Sequence, residues 1–148
     1  MTSDPSALSE PTERASTPVA EAATEPGIEP ATAPAPVALL VGDVRTESLD
    51  EPVPAGVDVL HGAPTAAVTA LTEVAGAEVG VWEMTPGTVR DVEADEVFVV
   101  LSGRATLAVE GGVTLELGPG SVVRLAEGAR TTWTVTETLR KVYVTPAA

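Results

Sequence analysis

From Val37 onward the sequence predicts an all-β domain, a sandwich or barrel, and three observations carry that expectation. Short β-branched runs recur at regular spacing, each bounded by glycine, proline or acidic turns. Twelve of the 13 glycines and all four aromatic residues fall in this part, where valine is also frequent. No stretch repeats its apolar residues at helical spacing over three turns. The roughly 110 residues available suffice to bury one hydrophobic core.

Eight runs read as strands. "AAVTALTEV" (66–74) and "AEVGVWEM" (77–84) come first, followed by "DEVFVVL" (95–101) and "RATLAVE" (104–110). "VTLEL", "SVVRLA", "RTTWTV" and "LRKVYVT" complete the series, from 113 to 145. The "EGG" at 110–112 makes a tight hairpin, because glycine accepts positive φ cheaply. "LGPGS" and "AEGAR" supply the next two corners.

Residues 1–36 have a different texture. They hold seven of the 13 prolines, six acids against one arginine, and no aromatic residue. Prolines at that density interrupt any helix, and too little apolar surface is present to offset chain entropy. The expectation is a disordered, acidic Pro/Ala-rich tail on a β domain spanning 37–148.

Charge and composition narrow the function classes. A net charge of −14 repels phosphate backbones and anionic headgroups, so neither nucleic acid nor membrane is an expected partner. Cysteine is absent, which removes disulfides, thiolate metal sites and thiol nucleophiles. The one histidine, His61, leaves no histidine cluster within a chain. The start "MTSDPSALSE" has no basic stretch followed by an apolar run, and "PVALLVG" is too short to span a bilayer, so a cytoplasmic location is expected. Ser102 and Ser121 lack a histidine partner, "GPG" at 118–120 lacks the lysine and helix of a phosphate loop, and the arginines are scattered.

Four segments carry a family resemblance. "GVWEMTPG" (80–87), "DEVFVVLSGRATL" (95–107), "LELGPGSVVRLAEGARTTWTV" (115–135) and "LRKVYV" (139–144) resemble the small single-domain cupins. They look like the group sharing the cupin domain of (S)-ureidoglycine aminohydrolase, and more distantly like the ethanolamine-utilisation cupins. "VLHGAPTAAVTAL" (59–71) is similar to that group's lead-in. The resemblance implies a double-stranded β-helix, or jelly-roll, barrel and a homodimer. Since one fold hosts many chemistries, it does not fix the function.

The family's first motif, G-x5-H-x-H-x3/4-E-x6-G, and its second, G-x5-P-x-G-x2-H-x3-N, together hold a divalent metal. Glu96 and Gly103 match the E-x6-G half, but only nine positions separate Gly87 from Glu96, where the motif needs twelve or thirteen. Counting back from Glu96 puts the histidine slots on Arg90 and Val92, or on Val89 and Asp91; counting forward from Gly87 puts them on Glu93 and Asp95. In the second motif Gly120 and Gly128 match, while Ala126, Thr131 and Val135 replace proline, histidine and asparagine. No metal and no cofactor is therefore expected, the nitrogen donors being gone. The acids of "DVEADE" (Asp91, Glu93, Asp95 and Glu96) lack the glycine and spacing of a calcium loop and read as a solvated turn.

Glu96 shares a strand face with Phe98 and Val100, and a carboxylate on an apolar face needs a partner. Lys141, the only lysine, lies in an apolar run on the face of Leu139 and Tyr143. The two read either as an ion pair closing one end of the barrel or as groups that bind a polar ligand. Trp82 and Trp133 read as core or as a wall that stacks a flat ligand, with Thr131 and Tyr143 adding hydroxyls. The expected function is metal-independent binding of a small molecule by Trp82, Glu96, Thr131, Trp133, Lys141 and Tyr143. The alternatives are a metal-dependent enzyme resembling ureidoglycine aminohydrolase, and a structural or partner-binding dimer module.

Overall fold

The computed structural model describes residues 36–56 and 58–148. The expected tail, except Pro36, lies outside these residues. Among them there are nine strands and no helix. β1 (Val53–Pro54), β2 (Asp58–His61) and β3 (Thr65–Val74) lead into β4 (Ala77–Met84) and β5 (Gly87–Val92). They are followed by β6 (Glu96–Val109), β7 (Thr114–Leu117), β8 (Val122–Leu125) and β9 (Arg130–Pro146). All pairings are antiparallel, in one curled sheet ordered β1-β3-β4-β9-β5-β2 with β6, β7 and β8 branching from β9. The all-β expectation holds, and the barrel takes the form of a half-barrel curled over its core.

Two long strands organise the sheet. One edge of β9 pairs with β5 through Arg130–Val135 and with β4 through Leu139–Pro146, while its other edge pairs with β6. β6 in turn pairs with β8 near its start and with β7 near its end. "DEVFVVL" and "RATLAVE" were expected as separate strands, as were "RTTWTV" and "LRKVYVT"; each pair is one strand. The polar residues between them form bends through which pairing with the partner strand continues.

The bend in β6 sits at Gly103, with φ of +94° and register shifts on either side. A Cβ there would lie 2.1 Å from the carbonyl oxygen of Thr138, so only glycine lets β6 approach β9 this closely. The bend also switches which residues face inward. Phe98 and Val100 are buried before it, Ala105 and Leu107 after it. "VFVVL", apolar on both faces in the sequence, thus turns its even-numbered side chains to the core. There they join Met84, Leu139 and Trp133.

The three expected turns form where the sequence puts them. At "EGG", Val109 N–H donates to Val113 O and Gly111 has φ of +69°. Strands β1, β2 and β5 were not expected. The first two are very short, and β5 carries the polar stretch that reads as a motif loop.

Ahead of β1, residues 43–50 cross the outer face of the sheet as a strap. Arg140, projecting outward from β9, donates through Nη1 to Val44 O and Glu47 O at 3.0 and 2.8 Å. Its Nε donates to Glu83 Oε2 on β4 at 2.7 Å, and Asp50 N–H donates to Thr69 Oγ1 on β3.

Candidate functional site

Alternation along β4, β6 and β9 brings five of the six expected residues to one interior region. Lys141 Nζ donates to Glu96 Oε1 at 2.5 Å, and the two side chains are only 6% and 17% exposed. The expected pair forms, and it is nearly sealed from solvent. Three rings surround the ammonium: its nitrogen lies 4.3 Å from the centroid of Phe98, 4.7 Å from Trp82 and 5.1 Å from Trp133. Such distances bring the negative quadrupole face of each ring to bear on the charge, worth about 0.5–2 kcal/mol per desolvated contact. Trp133 packs at 5.9 Å from Trp82 and 5.7 Å from Phe98.

Tyr143 lies beside this cluster, one alternation step from Lys141. Its hydroxyl donates to Glu78 Oε1 at 2.8 Å and lies directly over Gly80, where a Cβ would sit 2.3 Å from it. Burial first, and then the bond to the Glu78 carboxylate, hold the Tyr143 hydroxyl well above the usual phenol range. The phenol is thereby kept neutral and donating.

Thr131 stands apart from the cage. Its hydroxyl donates to Glu93 Oε1 at 2.5 Å, and the same oxygen accepts the Trp133 indole N–H at 2.8 Å. Glu93 was expected to be part of a solvated acidic turn, and this is corrected: the loop after β5 folds it inward onto two β9 side chains. Its neighbours serve the backbone. Asp91 accepts from Val92 N–H, and Asp95 accepts from Glu127 N–H.

Sequence reasoning missed Glu78, Glu93 and Phe98 as site residues. Glu78 had a signal, because alternation through Gly80 puts it on the face of Trp82. Phe98 shares its face with Glu96 and reads as plain core; only the curl of the sheet carries it to Lys141. Glu93 had one signal, the forward count from Gly87 that puts it in a histidine slot of the first motif.

The interior does not fit a divalent metal. A metal needs several unprotonated donors converging on one point. Opposite Glu96 stands an ammonium, itself a cation, hydrogen-bonded to that carboxylate, and Glu78 is engaged by Tyr143. Among the described residues no three His, Asp or Glu side chains are grouped so as to hold a metal ion.

Among the clefts that open on the described residues, two stand out. One, of about 340 Å³, lies between the strap and the sheet beside Glu83 and Arg140. The other, of about 770 Å³, is lined by Arg90 and Asp91 of β5, Glu110, and Arg130, Thr131 and Thr132 of β9. Of the six expected residues only Thr131 lines either one. The aromatic wall and the ion pair therefore lie behind the larger cleft rather than in it, linked to it through Thr131, Glu93 and Trp133.

A curled antiparallel sheet of this connectivity, with glycine-turned corners and an inward-facing glutamate at the start of its sixth strand, has the cupin-like fold. More particularly, residues 71–143 match the family model described as a EutQ-like cupin domain. Among solved structures, it is similar to the EutQ protein of Clostridium difficile at 20% identity, covering 57% of this chain and 70% of that one with a TM-score of 0.51. It is also similar to a putative ethanolamine utilization protein Q from Salmonella typhimurium, at 20% identity over 57% and 71% of the two chains, with a TM-score of 0.50. A DUF861-family protein of unknown function from Pseudomonas syringae is 28% identical over 66% of this chain and 43% of its own length, with a TM-score of 0.56. Comparison with curated proteins gives no match. The sequence resemblance set the ureidoglycine aminohydrolase group first and the ethanolamine-utilisation cupins second; the domain match falls on the latter.

Proposed function

We propose that this chain is a metal-independent, small-molecule-binding cupin whose ligand sits in the cleft at Thr131. The observation that carries the reading is the cleft's size combined with its link to the interior. About 770 Å³ falls within the range of small-ligand sites, and its wall at Thr131 is hydrogen-bonded through Glu93 to the indole of Trp133. Arg90, Arg130, Asp91 and Glu110 give the cleft both signs of charge, which favours a small, polar, hydrogen-bonding molecule over an apolar one. Trp82, Glu96, Lys141 and Tyr143 form the rigid backing of the site rather than its contact surface. The test is a thermal-shift screen of the purified chain against amino acids, small carboxylic acids and polyols. A true binder shifts tryptophan emission as well as melting temperature, and Arg130→Ala, at the exposed wall of the cleft, removes both effects. If no compound binds, or binding survives both Arg130→Ala and Arg90→Ala, the reading fails.

An aminohydrolase-like enzyme of nitrogen metabolism would require a metal, and the interior donors argue against it. Stoichiometric Mn, Fe or Zn in the purified protein would restore that reading.

A second reading, a homodimer, is favoured by the outer sheet face. Val97 pairs with Val144 and Val99 with Val122, leaving four valines 37–67% exposed on one surface. In a chain of net charge −14, a valine face whose cross-strand neighbour at Val97 is the basic Arg124 is where two copies meet with least repulsion. Light scattering on the parent and on Val97→Glu/Val99→Glu decides it: a dimer that becomes a monomer supports the reading, and a monomeric parent ends it.

A further inference from the structure

We infer that the barrel interior is an ammonium-selective cage built by Trp82, Phe98, Trp133 and Glu96, and that the chain fills it with its own Lys141. The geometry is that of a recognition site rather than of a simple buried ion pair. An ion pair needs only the carboxylate; here three ring faces, on β4, β6 and β9, also converge on the nitrogen at 4.3–5.1 Å. Three faces and one carboxylate are the elements with which aromatic cages bind free alkylammonium ions. The chain has four aromatic residues, and three of them are spent on this one charge.

The arrangement also explains the interior's mismatch with a divalent metal. Ring faces offer no lone pair to ligate a transition metal, and the one suitable carboxylate is held by the ammonium. A positive charge still occupies the interior, but it is covalently tethered and cannot be chelated or exchanged. This conclusion is independent of the ligand cleft at Thr131 and stands or falls without it.

Two measurements test it on the full-length chain. In the first, Lys141→Ala empties the cage, and the melting temperature is followed with added n-propylammonium, n-propanol or manganese chloride. Saturable recovery with propylammonium, absent in the parent and weaker with the neutral alcohol, is expected. Equal recovery with propanol would show that the space is merely apolar, and preferential recovery with manganese would show a metal site; either overturns the cage.

The second measurement needs no variant and decides the matter should Lys141→Ala not fold. Lys141 is the only lysine, so lysine-selective ¹³C,¹⁵N labelling yields a single side-chain spin system. Ring currents from three faces shift its ε-methylene protons upfield, and its ammonium protons exchange slowly. A spin system like that of free lysine overturns the inference.

Discussion

Arg140 and Lys141 are consecutive residues on β9, carry the same charge and each pair with a glutamate, yet they face opposite sides of the sheet and solve different problems. Lys141 points inward, where one carboxylate and three rings offer no planar set of acceptors. A compact ammonium on a flexible stem suits that space. Arg140 points outward beneath the strap, where Glu83 and two backbone carbonyls supply acceptors on several sides, and a planar fork can reach all of them. The lysine holds the interior together; the arginine fastens an irregular segment to the exterior. Identical charge in neighbouring positions thus says little about role. The arrangement of acceptors decides which cation fits.

The largest effect expected from this contrast comes from Glu96→Ala. It leaves an ammonium buried with ring faces alone and costs about 3–5 kcal/mol in denaturant unfolding. Glu96→Gln/Lys141→Met, which removes both charges at similar volume, recovers most of that loss. A double mutant no more stable than Glu96→Ala would break the comparison on its interior side.

On the exterior, Arg140→Lys keeps the charge but cannot span Glu83, Val44 O and Glu47 O together. A loss of about 1–2 kcal/mol follows from one or two forfeited hydrogen bonds, with faster limited proteolysis between residues 43 and 50. Unchanged proteolysis would mean the strap is held by something other than the guanidinium.

A smaller effect belongs to Tyr143, on the lysine's side of the sheet. Its folded-state pKa is raised, so the stability it contributes is complete below the pKa of an unfolded tyrosine, about 10, and is lost as pH rises beyond it. Because Tyr143 is the only tyrosine, tyrosinate absorbance should appear together with alkaline unfolding, not before it. Tyr143→Phe should flatten the alkaline part of the stability profile. The smallest effect is at Arg90, whose pair with Asp58 spans 3.6 Å between two largely exposed side chains. Arg90→Ala should change stability by less than about 0.5 kcal/mol.

These expectations divide along the line between what the sequence could and could not reveal. Glu96 and Lys141 were legible because each is a charge in an otherwise apolar strand, and burial forces such groups to find each other. The turns at Gly111, Gly120 and Gly128 were legible because their chemistry is local. The cage was not, since it depends on the curl of the sheet and on the bend at Gly103 that moves β6 against β9. Glu93 looked solvated because nothing local distinguishes an acid folded under a loop from one facing water. The strap escaped notice for a related reason. Its anchor lies about ninety residues away on β9, and a polar segment held by backbone carbonyls leaves no periodic pattern. The larger cleft gathers its walls from β5, β6 and β9, so the motif slots at Arg90, Asp91 and Thr131 gave no hint that they would meet there.

Strand β9 has a consequence for how the protein comes into being. It pairs with β4, β5 and β6, and all three precede it in the chain. While the chain is being synthesised, the earlier strands emerge with Phe98, Leu107 and Met84 uncovered, and nothing local can shield them. The sheet closes only once residues 130–146 have left the ribosome, so folding is a late event built on long-range pairing and is expected to be slow. Until that moment the nascent domain presents unpaired strand edges and apolar side chains, and chaperones that hold such surfaces would engage it then.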